Sequence, residues 1–201
     1  MTQKEENCDC STIPGRGGVA LTMNGSFFTR AFPEWAALIR YRLVARGDTW
    51  LITDYGETSY QVSRTDGTYT LTEKQRGTEQ FLMSAADGVD IERCLVTEMG
   101  FSIRSTKKLP YIFLNGKPGP ATIDDLAPGY TVRQPSPRRV SLIGTNGIRA
   151  VFAGKLPTNV RDAVEFSWIA NADLADIRAS YLDPDGLPLF PHCTIRHPQT
   201  P

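Results

Sequence analysis

The sequence predicts an α+β fold in which antiparallel meander sheets carry helices packed on one face. Three observations predict it. Short extended segments separated by turn residues run from Tyr41 to Ser84 and again from Tyr130 to Ala153, the pattern of hairpin-connected strands. A helical face follows the first run, with Ile91, Cys94, Leu95 and Met99 at i, i+3, i+4 and i+8. A second helical face, Leu174, Ile177 and Tyr181, closes the second run. A strands-then-helix plan thus occurs twice, offset by roughly 80 to 85 residues, and allows two similar sub-halves, 26–114 and 121–190.

The elements follow in order. Residues 1–25 hold few large apolar groups and several glycines, Gly15, Gly17 and Gly18 among them, and are expected to form a poorly ordered leader. Phe32-Pro33 opens a short helix, because proline suits a first helical turn, and Trp35, Leu38 and Ile39 share its face. Strands are expected at Tyr41–Ala45, Thr49–Asp54, Thr58–Arg64, Thr68–Leu71 and Phe81–Ser84, with Thr65-Asp66-Gly67 as a hairpin signal. Asp87 can cap the helix that ends at Gly100, after which Phe101 and Ile103 read as extended chain, as does Tyr111–Leu114. Beyond the Gly/Pro loop 115–120, strands are expected at Tyr130–Gln134, Val140–Gly144, Ile148–Ala153 and Val164–Ala170. Asn171 then caps the last helix, which the turn Asp183-Pro184-Asp185-Gly186 ends. A single domain over 26–190 is expected, followed by a loose tail over 191–201.

Composition excludes several function classes. The 201 residues carry 22 basic and 22 acidic groups, so no global field recruits nucleic acid or membrane. No apolar run approaches the roughly 20 residues of a membrane helix, and the polar start lacks a signal-peptide pattern, so a cytoplasmic location is expected. The four cysteines, Cys8, Cys10, Cys94 and Cys193, are too sparse for a disulfide scaffold. Cys8 and Cys10 could meet His192 and Cys193 around zinc, but both pairs sit in loose segments, so neither metal nor cofactor is expected. Gly15-Arg16-Gly17-Gly18 lacks the Gly-Lys-Ser/Thr end of a phosphate loop. The two histidines, His192 and His197, lie in the Pro-rich tail, where nothing rigid would orient an imidazole. Asp124-Asp125 reads as a helix start and Asp183-Pro184-Asp185-Gly186 as a turn. The protein is therefore expected to be no enzyme, unless a deep pocket holds two carboxylates of perturbed pKa.

Charge is uneven although the total cancels. Acids dominate from Asp54 to Glu98 and bases from Met99 to Arg161, and the two poles either dock a partner or face each other. Arg133, Arg138 and Arg139 lack the interleaved aromatics of a nucleic-acid surface. Arg76, in Lys74-Gln75-Arg76-Gly77 between two strands, is expected to pair with Glu73 or Glu79. Trp35, Trp50 and Trp168 read as core, whereas Tyr55 and Tyr60 read as exposed interface residues. The candidate partner-binding residues are Tyr55, Tyr60, Asp66, Glu73, Arg76, Asp87 and Asp90. The acidic stretch would act by entering a basic cleft of the partner.

Phe-Pro-Glu-Trp-Ala, Thr72-Glu73-Lys74-Gln75-Arg76-Gly77, Ile91-Glu92-Arg93, Gly100-Phe101-Ser102-Ile103-Arg104 and the stretch from Ala172 to Tyr181 carry a resemblance. Over about 28 to 190 the chain resembles actinobacterial immunity proteins against polymorphic toxins, the group around the immunity factor for the tuberculosis necrotizing toxin. The resemblance implies an antitoxin that binds a cognate secreted toxin before export and blocks its active site. If that toxin is of the necrotizing type, it is an NAD glycohydrolase. No contact residue follows from the resemblance. A general interaction module or secretion-associated chaperone is the alternative reading.

Overall fold

Turn chemistry places the strands in the structure, a computed structural model that describes residues 27–54, 56–117, 119–154, 158–190 and 194–195. The leader over 1–25, Tyr55, both histidines, Cys8, Cys10 and Cys193 lie outside the described residues. β1 (Arg42–Arg46), β2 (Thr49–Thr53), β3 (Thr58–Thr65), β4 (Thr68–Gln75) and β5 (Thr78–Ala85) are successive antiparallel neighbours. Asp66-Gly67 turns β3 into β4 with φ of 49° and 75°, and Arg76-Gly77 turns β4 into β5 with φ of 49° and 82°. Positive φ at both positions gives the two-residue turn whose twist matches a right-handed strand pair. Lys74 and Gln75 are thus strand residues, and the expected loop shrinks to Arg76-Gly77.

A second meander, β7 (Thr131–Ser136), β8 (Arg139–Gly144) and β9 (Gly147–Ala153), joins the first where Met83 and Ser84 pair with Phe152 and Val151. Both meanders therefore belong to one eight-stranded sheet, ordered β1-β2-β3-β4-β5-β9-β8-β7. β6 (Tyr111–Ile112) pairs with β10 (Thr194–Ile195) in a separate two-stranded sheet. Alternation sets the buried face of the large sheet: Ile52, Tyr60, Val62, Leu71, Met83, Leu142, Ala150 and Phe152 are buried in one apolar core. Side chains of α1 (Phe32–Ala37), α2 (Gly88–Thr106), α3 (Thr158–Ser167) and α4 (Leu174–Leu182) complete that core.

Two elements depart from the local pattern. α2 runs through Gly100 to Thr106, so Phe101 and Ile103 are helical rather than extended. The glycine serves packing rather than termination. A Cβ at position 100 would lie 2.4 Å from the Tyr181 ring of α4, a fully buried ring packed edge-on to Phe101. Val164–Ala170, read as a strand, instead contains the end of α3. Ala163, Val164, Phe166 and Ser167 form its buried face, and this tertiary fit overrides the aromatic and β-branched composition. Trp168 also departs from expectation. It is 40% exposed, with its indole N–H donating to the Asp125 carbonyl at 2.8 Å, whereas Trp35 is buried and Trp50 half-buried on Phe27.

Arg104 joins the C-terminal ends of α2 and α4. Its guanidinium, in a residue only 2% exposed, donates to the carbonyls of Pro110 (2.6 Å), Ser180 (3.2 Å), Tyr181 (3.2 Å), Asp183 (2.6 Å) and Pro184 (3.0 Å). Ser180 and Tyr181 lie in the last turn of α4, where carbonyls lack helical partners and carry the negative end of the helix dipole.

Gly100→Ala separates packing from propensity. Alanine favours a helix by about 1 kcal/mol, but the fixed Tyr181 ring imposes an overpacking cost of about 1–3 kcal/mol. A net destabilisation of about 1 kcal/mol is expected, read as a lower urea midpoint at unchanged slope. A higher midpoint would show that the ring yields.

Candidate functional site

The candidate residues do not form one patch. β4 is 8 residues long and separates Asp66 at one end from Arg76 at the other by roughly 25 Å. Asp66 is exposed in its turn. Arg76 pairs with Glu57 at 2.8 Å, not with Glu73 or Glu79 as expected, because the tight turn brings it back beside the start of β3. This pair is solvent-exposed and worth little. Asp87 is exposed and caps α2, accepting from the Val89 N–H at 2.9 Å. Glu73 is half-buried opposite Tyr60 in the β3–β4 register.

Two expectations of exposure fail. Tyr60 faces inward from β3 and is buried near Tyr41, because the strand's alternation puts it on the core side with Val62. Asp90 is fully buried. Its Oδ1 accepts from Arg93 Nη1 at 2.8 Å and Arg149 Nη2 at 2.7 Å, while Oδ2 lies 2.6 Å from Arg149 Nε. Arg93 also donates to the Ala172 carbonyl at 2.9 Å, and Arg149 to the Ala170 carbonyl at 3.1 Å. Burial raises the Asp90 pKa, and the two guanidiniums oppose that rise. One acid of the Asp54–Glu98 stretch, Asp90, meets one base of the Met99–Arg161 stretch, Arg149, here. An adjoining cleft of about 290 Å³ is lined by Asp87, Asp90, Tyr130, Asn146, Arg149 and Asn171.

Carboxylates gather with less compensation between α2 and α3. Glu98 from α2 stands with Asp162 and Glu165 from α3 around a pocket of about 40 Å³, with Leu82, Leu114, Phe152, Phe166 and Ile169 as apolar walls. Arg161 is the cation among them, with Nη2 at 3.2 Å from Asp162 and Nε at 3.9 Å from Glu165. Crowding by protein raises the Glu98 carboxyl to about 7, helped by Asp162, Glu73 and Glu165. Its side chain still meets water at the rim, which tempers the effect. Burial likewise pushes Glu165 up to about 7 and raises Asp162, each against the pull of Arg161. Burial also holds the Cys94 thiol well above its ordinary value. Tyr111, 44% exposed, feels the fields of Glu165, Arg161 and Glu98 and rests against Phe101 and Phe113. Sequence reading placed Glu98 and Glu73 in the acidic stretch but missed Asp162, which it assigned to no element, and Glu165, which it put in the strand Val164–Ala170. The spacing of the two acids at i, i+3 was the available signal.

Two carboxyls near 7 are suitable acid–base groups. Space decides against a substrate site, because about 40 Å³ is far below the roughly 300–1,000 Å³ of small-molecule pockets. Among the described residues no group of three or more His, Cys, Asp or Glu side chains is placed to hold a metal ion. Among them, too, no helix is long and apolar enough to cross a membrane.

A family model described as Imm61, Immunity protein 61, matches residues 35–189. The Immunity factor for TNT of Mycobacterium tuberculosis (strain ATCC 25618 / H37Rv) is 30% identical over 148 residues, spanning 72% of this chain and 78% of that protein. The Immunity factor for TNT homolog of Mycobacterium bovis (strain BCG / Pasteur 1173P2) matches with the same 30% identity over 148 residues and the same coverage, 72% and 78%. The solved structure of Rv3902c from M. tuberculosis is similar with a TM-score of 0.67 and 25% identity, covering 81% of this chain and 93% of that chain.

The raised carboxyls predict how stability depends on pH. Glu98 and Glu165 bind their protons more tightly folded, near 7, than unfolded, near the ordinary glutamate value of about 4.3. The folded protein therefore holds more protons between those limits, and stability falls as pH rises through that window. Their titratable surroundings are Glu73 from β4, Tyr60 from β3, Cys94 from α2, Tyr111 from β6, Tyr181 from α4, and Arg161 and Asp162 from α3. The double variant Glu98→Gln, Glu165→Gln should flatten the decline between pH 5 and 8. At pH 8 it should exceed the parent by about 1 kcal/mol, allowing for the water at Glu98. Parallel profiles for parent and variant in urea melts would contradict the assignment.

Proposed function

The chain belongs to the immunity protein 61 family, and from that premise we propose that it is an antitoxin that binds one cognate secreted toxin in the cytoplasm before export and covers its active site. The target proposed is an NAD glycohydrolase. The observation that carries this reading is the extent of the family match: residues 35–189 include nearly the whole described fold, from within α1 to the turn beyond α4. Two relatives that cover 72% of the chain bear the name immunity factor for TNT, which supports a toxin of that kind. The surface chemistry is compatible with inhibition by binding. Exposed carboxylates, a buried ion network that fixes α2 and a small rim pocket supply complementarity without chemistry of their own.

Co-expression with the toxin encoded beside the gene tests the proposal. Growth should be rescued, cellular NAD should stay at the level of toxin-free cells, and the two chains should co-elute as one complex. Equal killing with and without this chain would overturn the antitoxin reading. Rescue from a toxin that leaves NAD intact would retain that reading and reject the NAD glycohydrolase target. Co-elution without rescue would instead favour a chaperone.

A further inference from the structure

We infer that the gap between β5 and β9, in the middle of the large sheet, is a slot that takes an extended, acidic segment of the toxin as an added strand. This rests on the antitoxin reading above and names the surface that carries it. The first observation is the pairing. β5 pairs with β4 along nearly its whole length, yet only Met83 and Ser84 of β5 pair with β9. A β-bulge accounts for the difference. Leu71 faces Met83 and Thr72 faces Phe81, which leaves Leu82 as the extra residue. A bulge bends its strand and can end a ladder, so residues 78–81 diverge from β9.

The second observation is the backbone of those residues. The two-residue turn Arg76-Gly77 makes Gln75 and Thr78 a hydrogen-bonded pair, and alternation along the antiparallel ladder makes Glu73 and Gln80 the next. Glu79 and Phe81 therefore turn their N–H and C=O groups away from β4, toward the gap. Among the described residues no hydrogen bond reaches them there. An unpaired edge of this kind is the template for strand addition. The outer edges of the sheet suit a partner less. β1 is five residues long with an arginine at each end, and β7 carries Pro135, which lacks an N–H.

The third observation is room. The gap is a cleft of about 800 Å³, with residues 78–81 on one bank and Arg138, Arg139, Ala153 and Gly154 on the other. It closes where Met83 meets Phe152, so the added strand pairs over about four residues, roughly 13 Å. The fourth is charge. Arg138 and Arg139 are exposed and make no ion pair among the described residues, and Glu79 is the one acid that lines the cleft with them. Two guanidiniums against one carboxylate leave the slot positive, which selects a segment carrying Asp or Glu. Alternation puts the half-buried Phe81 on the same face as Glu79, where it offers an apolar contact to the entering strand.

The test uses the full chain with the toxin encoded beside its gene. Amide exchange is followed residue by residue by NMR in the free chain and in the complex. The Glu79 and Phe81 amides should exchange at least about tenfold more slowly in the complex, while those of Thr78 and Gln80, already bonded to β4, change less. Arg138→Glu/Arg139→Glu should bind the toxin at least about tenfold more weakly than the parent, with an unchanged thermal melt. Arg42→Glu/Arg46→Glu, the same change of charge on the outer edge, should bind within about twofold of the parent. A complex in which the Glu79 and Phe81 amides exchange as in the free chain overturns the slot and leaves the antitoxin reading standing. Slowing of those amides with parent-like affinity in Arg138→Glu/Arg139→Glu overturns the acidic character of the occupant. Absence of any complex removes the antitoxin reading and the slot with it.

Discussion

A buried guanidinium that donates to five backbone carbonyls governs how α2 and α4 meet. Arg104 donates to the carbonyls of Pro110, Ser180, Tyr181, Asp183 and Pro184, so it reads the end of α4 and the turn beyond it as a set of negative dipoles. Burial lowers its pKa, but an arginine starts so high that it keeps its charge. Removing the guanidinium would orphan those carbonyls in a dry site, a larger loss than the bonds alone. This clamp fixes the approach of Tyr181 to Gly100, and with it the direction of α2 across the sheet. The helix carries Asp87 and Asp90 at its start and Glu98 along its middle, so the clamp positions all three carboxylates.

Two carboxylate groups on that helix show opposite strategies. Asp90 is fully buried and matched by two guanidiniums, which makes it scaffold. Glu92 belongs with it: it accepts from the Thr29 N–H at 2.8 Å, also binds the Thr29 hydroxyl, and lies 3.5 Å from Arg178, tying the segment before α1 to α4. Glu98, about two turns along from Asp90, is grouped with Asp162 and Glu165 around one shared arginine. Such under-compensated charge lowers the stability of the isolated chain.

Much of the fold was legible because its hairpins obey local rules. Asp66-Gly67 and the turn at Asn146-Gly147 announce β3–β4 and β8–β9 directly, and the Asp87 cap announces α2. What was illegible depends on distant contacts. Gly100 looks like a helix stop until Tyr181, far away in sequence, is placed upon it. The end of α3 looks like a strand until Phe166 and Ala163 find their places under β8 and β9. The joining of the two meanders through β5 and β9 has no local signature at all. The site suffered likewise. Charge alone put Asp90 and Asp87 together as surface groups, although a residue's partners decide whether its carboxylate is scaffold or surface. Tyr60 was misplaced because alternation along β3 did not say which face is covered.

Hydrogen–deuterium exchange on the free chain and on its complex with the toxin tests the central claim most directly, that a rigid scaffold held by Arg104 binds its partner without rearranging. Amides of one contiguous surface should slow on binding, while those of residues 180–183 and 185 around Arg104 exchange slowly and equally in both states. Altered exchange around Arg104 in the complex, or slowing spread through the core rather than over one surface, would contradict it.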